Sequence, residues 1–234
     1  MSAAASFSVT IDGAAVAAAA GQTILDAARA HGISIPTLCF LPGLCATNAC
    51  RLCLVEVKGS GRLLPACHTA VQPGMEIVAH SARLDAYRRT VLELLLSERR
   101  HECSTCASTG YCELEDLARE FGIVQPSFTP LRFTLAADVS SPRFQLDQRR
   151  CILCRRCLQV CARVERAGTL DLAGRGTESR LILDLDRPWS EAASCTQCGK
   201  CAEVCPTGAI LAADKPLATV YRRQLELAYL HSRK

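Results

Sequence analysis

The 234-residue sequence predicts an α+β chain in which three small cysteine-bearing domains follow one another. Three observations carry that reading. The first third has the order hairpin, helix, cysteine loop, hairpin. A helix of 3.6-residue apolar period then runs into a knot of one histidine and three cysteines. Finally, the spacing C-x2-C-x2-C-x3-C occurs twice, from Cys151 to Cys161 and from Cys195 to Cys205. At 49% hydrophobic residues the chain can fill two or three small cores.

Phe7, Val9 and Ile11 alternate up to Asp12-Gly13, a tight-turn pair, so a hairpin opens the chain. Thr23 with Asp26 three residues on is an N-cap pattern. The helix through Ile24, Leu25, Ala28 and His31 stops at Gly32. A loop carrying Cys39, Cys45, Cys50 and Cys53 leads into the strand-like LCLVEV, a Gly59-Ser60-Gly61 turn and the return strand RLLPAC ending at Cys67. That order is the order of a β-grasp ferredoxin domain holding a 2Fe–2S cluster. Both Cys39 and Cys45 can supply its first ligand, because the plant-type spacing C-x4-C-x2-C is met literally by Cys45, Cys50 and Cys53.

Ser81 caps the next element, with Leu84, Tyr87, Val91, Leu94 and Leu95 as its apolar stripe. It delivers His101, Cys103, Cys106 and Cys112, a set suited to a four-iron cluster or, as the alternative at this spacing, to zinc. Leu114, Leu117, Ala118 and Phe121 form a short helix stopped by Gly122. The proline-bearing stretch that follows reads as a linker.

The run CTQCGKCAEVCP, with its earlier twin, is the one bacterial ferredoxins use to hold 4Fe–4S clusters. The fourth cysteine of each run serves the other cluster, which groups Cys151, Cys154, Cys157 with Cys205, and Cys195, Cys198, Cys201 with Cys161. Leu181, Leu183 and Leu185 alternate in an inserted hairpin. Arg155, Arg156 and Lys200 read mostly as a solvated face, with tuning of the cluster potential or steering of an acidic partner as the alternative. The tail from Ala218 to Leu230 reads as an amphipathic helix. The expected divisions are 1–80, 81–125, a linker 126–142, 143–212 and a terminal helix 213–234.

Sixteen cysteines are one more than four such sites need when one of them uses a histidine, so Cys39 or Cys45 is left over. The start of the chain lacks the basic region of a signal peptide, and no apolar run is long enough to span a bilayer. The expectation is a reducing, cytoplasmic setting in which clustered cysteines hold metal. The formal charge of +4 becomes about −3 once four clusters are counted. With aromatic residues at 5% and no basic–aromatic interleaving, a nucleic-acid partner has little support. No G-x-G-x-x-G follows a strand and no phosphate loop is present. Neither NAD nor FMN therefore has a recognisable site here, and no nucleophile–base pair marks a catalytic residue. A zinc-binding scaffold is the reading from another class.

IPTLC, ACRLCLVEV, CILCRRC and CTQCGKCAEVCPTGAI, taken in order, resemble the N-terminal iron–sulfur region shared by the large iron–sulfur subunit of complex I, iron-only hydrogenases and the diaphorase iron–sulfur subunit of NAD-reducing nickel–iron hydrogenases. The phrases are most similar to the last, and the stop at Lys234 points the same way. The resemblance implies one 2Fe–2S cluster on Cys39, Cys50, Cys53 and Cys67, with Cys39 preferred to Cys45. It also implies three 4Fe–4S clusters, one of them on Cys103, Cys106 and Cys112. The complex I pattern would place its histidine at Arg99, which leaves His101 as the substitute. The implied partners are an FMN- and NAD-binding diaphorase subunit and the small and large hydrogenase subunits, with this chain relaying electrons between them. An equivalent relay in an NADH dehydrogenase or NAD-dependent formate dehydrogenase is the alternative.

Overall fold

The computed structural model describes residues 6–99, 101, 103–106, 108–131 and 136–213. The expected terminal helix lies outside the described residues. Strands β1 (Ser6–Ile11) and β2 (Ala14–Ala19) pair antiparallel with Val9 opposite Val16. Their turn places Asp12 and Gly13 at φ of 50° and 83°, the left-handed region that Asp and Gly tolerate. Helix α1 (Ile24–Ala30) starts on a reciprocal capping box between Thr23 and Asp26 and ends at His31, whose Nδ1 lies 3.0 Å from the carbonyl of Ala27. It buries Ile24, Leu25, Ala27 and Ala28 against Val9, Ile11, Val16 and Val55. Each large aliphatic side chain so covered contributes about 1.5–3 kcal/mol.

Strands β3 (Leu54–Val57) and β4 (Leu63–Pro65) form the second hairpin, and β5 (Glu76–Val78) completes a five-stranded sheet of order β2-β1-β5-β3-β4. The sequence reading lacks β5. It is three residues long and owes its existence to parallel pairing with β1, which no local pattern announces. Asp12 ties the two together: its carboxylate accepts from the Ala79 and His80 backbone N–H groups at 2.7 and 3.2 Å and meets His80 Nδ1 at 2.7 Å. Burial alone would raise the Asp12 pKa, but these bonds outweigh it and hold the carboxylate below its ordinary range. A depressed pKa stabilises above the unfolded value and is lost as pH falls through the folded one. Asp12→Asn, which tolerates the same turn, is therefore expected to cost about 1 kcal/mol at pH 7 and progressively less at an acid pH below the ordinary carboxylate range. Urea titrations at the two pH values check this.

Helix α2 (Ala82–Glu98) begins at Ser81 as expected, but the buried face differs. Leu84, Arg88, Leu92 and Leu96 point inward, while Tyr87 and Leu94 are 44% and 48% exposed. The displaced stripe has a cause. Arg88 donates to the carbonyls of Ala79, Leu54 and Leu52 at 2.7, 3.2 and 3.3 Å, so a cation occupies a core position by closing the open end of the sheet. Helix α3 (Glu113–Glu120) packs on α2. The stretch after it is docked rather than loose: Ser127 N–H donates to Glu93 at 3.3 Å and Leu131 N–H to the carbonyl of Ser97 at 2.9 Å.

In the last part, β6 (Phe144–Leu146) and β9 (Ile210–Ala212) pair antiparallel, joining the start of the unit to its end. The expected inserted hairpin forms as β7 (Leu170–Ala173) and β8 (Arg180–Leu183). Leu181 and Leu183 are buried, whereas Leu185 is 93% exposed. The alternation fails there because Asp184, Leu185 and Asp186 all have positive φ, so the chain has already left the strand. Helix α4 (Arg156–Gln159) runs on into a π-helical turn at Val160–Glu165, and α5 (Lys200–Glu203) is its counterpart in the second run. Trp189 fills the centre, stacked on Phe144 with ring centroids 5.4 Å apart. Among the described residues no helix is long and apolar enough to cross a membrane.

Candidate metal centres

All sixteen cysteines are free thiols. In the β-grasp loop, Cys39, Cys50, Cys53 and Cys67 are buried and face one another, while Cys45 points to solvent. A hydrogen bond from the Cys50 thiol lowers the Cys39 pKa to about 5, and one from Cys67 lowers that of Cys53 to about 7. The two donor thiols are pushed up in turn. Leu38 N–H donates to Cys50 Sγ at 3.4 Å, and Cys67 Sγ donates to Asn48 Oδ1 at 3.2 Å. Cys45 is held apart by its backbone: its N–H donates to Gln159 Oε1 at 2.7 Å, and Gln159 Nε2 donates to its carbonyl at 2.8 Å.

The second set sits between α2 and α3. Cys103 opens a 3₁₀ turn, Cys106 N–H donates back to its carbonyl at 3.2 Å, and Ser108 N–H donates to Cys106 Sγ at 3.4 Å. Cys112 occupies the N-cap of α3, and burial pushes its thiol up to about 12. Cys106 raises the pKa of Cys103, and both raise that of Cys112, so the three thiols face a shared space. His101 is desolvated, and with the charges of Arg99 and Arg150 nearby its pKa falls to about 4. Its Nε2 is buried and, among the described residues, has no hydrogen-bond partner. A neutral imidazole with an unused ring nitrogen has the form a metal ligand needs.

The two ferredoxin runs frame two cavities of about 370 Å³ each. Cys151, Cys154 and Cys157 line one together with Cys205; Cys195, Cys198 and Cys201 line the other together with Cys161. Three thiols of one run and the last thiol of its twin thus share each space. Burial pushes Cys151 up to about 11 and raises Cys154, Cys157 and Cys201 as well. Trp189 Nε1–H donates to Cys195 Sγ at 3.4 Å. The thiols of the first cavity are the more buried: Cys151, Cys154 and Cys157 are buried, whereas Cys198 is exposed.

The backbone is shaped for these cavities. Leu153 and Arg155 take φ of 52° and 66° at the places where the twin run has Gln197 and Gly199 at 59° and 80°, and Arg51 between Cys50 and Cys53 has 57°. Non-glycine residues in this region each cost about 1–3 kcal/mol, so the surrounding fold enforces the turn. Alternating right- and left-handed residues aim successive N–H groups into one concavity, which suits an anionic group. Four thiols line each of the two ferredoxin cavities. The donor chemistry fits iron–sulfur clusters.

The solvated reading of Arg156 is corrected here. The residue is 3% exposed and forms a two-bond ion pair with Glu113. Lys200 pairs with Glu165. Sequence reasoning also missed the Trp189 N–H to sulfur, for which a lone tryptophan six residues before a cysteine gives no signal.

These features define a chain of consecutive iron–sulfur modules. Residues 4–82 match a 2Fe-2S iron-sulfur cluster binding domain, 88–126 the NADH-ubiquinone oxidoreductase-G iron-sulfur binding region, and 147–209 a 4Fe-4S dicluster domain. The gamma subunit of the NAD-reducing hydrogenase HoxS of Cupriavidus necator is 30% identical over 97% of both chains. A subunit in the crystal structure of an NAD+-reducing nickel–iron hydrogenase in the H2-reduced state superposes with a TM-score of 0.85 at 35% identity, covering 92% of this chain and 91% of that one. The chain belongs to the family of iron–sulfur subunits that includes HoxS gamma. It is also 39% identical to HndD of the NADP-reducing hydrogenase of Solidesulfovibrio fructosivorans and 36% identical to an NADH-quinone oxidoreductase subunit of Rhizobium meliloti, in each case over 87% of its length. It spans only 35% and 24% of those two relatives.

Proposed function

We propose that this chain is the electron-relay subunit of an NAD-reducing hydrogenase, taking no part itself in the bond chemistry at either end. The observation that carries the reading is the sorting of eight cysteines from two distant runs into two cavities, three from one run and one from the other. On this reading Cys39, Cys50, Cys53 and Cys67 hold one 2Fe–2S cluster. Three 4Fe–4S clusters lie on His101 with Cys103, Cys106 and Cys112; on Cys151, Cys154, Cys157 and Cys205; and on Cys195, Cys198, Cys201 and Cys161. Bound clusters supply one-electron chemistry. The residues of the chain hold them as thiolates, exclude water by burial, and donate hydrogen bonds to ligand sulfur from Leu38 N–H, Ser108 N–H and Trp189 Nε1–H.

An FMN-carrying, NAD(H)-binding diaphorase partner would feed or drain the relay at one end, and hydrogenase small and large subunits at the other, in the cytoplasm. The likeness to HoxS gamma over nearly the full length of both chains supports this choice. Anaerobic purification of the tagged chain from its own cells should bring down a nickel-containing subunit and an FMN-containing one. Recovery of a molybdenum enzyme or a membrane arm instead contradicts the assignment.

Three substitutions test the ligand sets. Cys45→Ser is expected to leave the iron content unchanged, whereas Cys39→Ser removes the two-iron signal. His101→Ala is expected to alter the EPR of one four-iron cluster and leave the others as they were. An unaltered spectrum rejects His101 as a ligand.

A further inference from the structure

Arg156 stands between Cys154 and Cys157, and its guanidinium is fixed by groups from two other parts of the chain. Its Nη1 and Nη2 donate to the two carboxylate oxygens of Glu113 at 2.7 and 2.9 Å, and Nη2 also donates to the Phe40 carbonyl at 3.1 Å. Phe40 follows Cys39, and Glu113 follows Cys112. Each anchor is therefore the neighbour in sequence of a cysteine from a different centre. The Glu113 N–H donates at 2.8 Å to the carbonyl of Pro206, the residue after Cys205, so the same carboxylate-bearing residue is pinned to the second ferredoxin run as well.

The charge balance at this junction is uneven. The Arg156 side chain is 4% exposed and that of Glu113 38% exposed, so water screens the carboxylate far more than the guanidinium. The Glu113 carboxylate and the Phe40 carbonyl compensate the buried cation. Arg156 stands on the turn between Cys154 and Cys157, two of the four thiols that line the cavity shared with Cys205. A positive charge is thus fixed beside that cavity.

We propose that Arg156 is a positioning residue that raises the reduction potential of the cluster held by Cys151, Cys154, Cys157 and Cys205, making that centre the electron-holding point of the relay. The inference rests on the relay reading above. In the step concerned, this centre gains one electron and the neighbouring cluster that supplies it loses one. No proton need move, because the fixed guanidinium offsets the added negative charge. Glu113 opposes Arg156 and limits the rise.

The test is an EPR-monitored redox titration of the full chain, purified anaerobically with its partners, as wild type, Arg156→Gln and Glu113→Gln. Arg156→Gln is expected to lower the midpoint of this one cluster by at least a tenfold change in the reduced-to-oxidised ratio, about 59 mV for one electron. Glu113→Gln is expected to raise it. Opposite shifts from the two halves of one ion pair are the signature, since a mere clamp between domains would be weakened by both changes alike. Unchanged midpoints, or shifts of the same sign, overturn the proposal, and so does loss of iron from both variants. If only Arg156→Gln fails to retain iron, the direction of the Glu113→Gln shift decides. Failure of the relay reading itself would be seen separately, as absence of the clusters from the wild type.

Discussion

Cys205→Ala is expected to cost about four iron atoms per chain, and to take them from the centre begun by Cys151 rather than from the centre begun by Cys195. The reason is geometric. Cys205 ends the run that starts at Cys195, yet it lines the cavity of Cys151, Cys154 and Cys157, while Cys161 crosses in the opposite direction. The crossing follows from β6 and β9, which pair Phe144 with Ala212 and so bring the two runs side by side as a pseudo-symmetric unit. Cys161→Ala is the reciprocal experiment and should empty the cavity of Cys195, Cys198 and Cys201. Mössbauer or EPR spectra assign each loss. A Cys205→Ala protein that loses the cluster of Cys195, Cys198 and Cys201 would mean that each run holds its own.

The largest loss of stability outside the ligands is expected at Trp189. The side chain is 1% exposed, stacks on Phe144 with an interplanar angle of 24°, and its backbone N–H donates to Asp138 Oδ2 at 2.7 Å. Truncation to alanine leaves a cavity in the core of the two-run unit and should cost about 3–5 kcal/mol. For a unit of this size that corresponds to a fall in melting temperature of more than about 10 °C. Trp189→Phe separates two roles. It keeps most of the apolar bulk but loses the Nε1–H that donates to Cys195 Sγ at 3.4 Å. The phenylalanine protein should therefore melt near the wild type while the potential of the cluster on Cys161, Cys195, Cys198 and Cys201 falls, since a hydrogen bond to ligand sulfur favours the reduced state. Circular dichroism melts and a redox titration measure the two effects. A Trp189→Ala protein as stable as wild type contradicts the packing argument.

What was legible in the sequence was local chemistry. The Asp12-Gly13 turn, the Thr23–Asp26 capping box, the Ser81 N-cap and the Gly122 stop each act within a few residues, and each forms where expected. The short strands β5, β6 and β9 were not legible, because three residues paired across long stretches of chain carry no periodicity of their own. Charge in the core was not legible for a related reason. Arg88 and Arg156 look solvated by type, yet each is buried by acceptors far away in sequence: Leu52, Leu54 and Ala79 for the first, Phe40 and Glu113 for the second.

The same division runs through the metal centres. The spacing of the cysteines announced the crossed ferredoxin pairing, but it left Cys39 and Cys45 as equal candidates. In the fold Cys39 is buried beside Cys50, whereas Cys45 is exposed and its backbone is tied to Gln159. The turn between ligands was visible in one run only. Gly199 advertises its positive φ, whereas Arg155 at the equivalent place adopts the same conformation with a side chain that gives no hint of it.

The claim that fifteen of the sixteen cysteines serve a relay of iron–sulfur clusters is tested most directly by metal analysis of the anaerobically purified chain. One two-iron and three four-iron clusters require about 14 iron atoms per chain with a matching content of acid-labile sulfide, and EPR signals on reduction with dithionite. About four zinc ions per chain, with no iron and no signal on reduction, would contradict it.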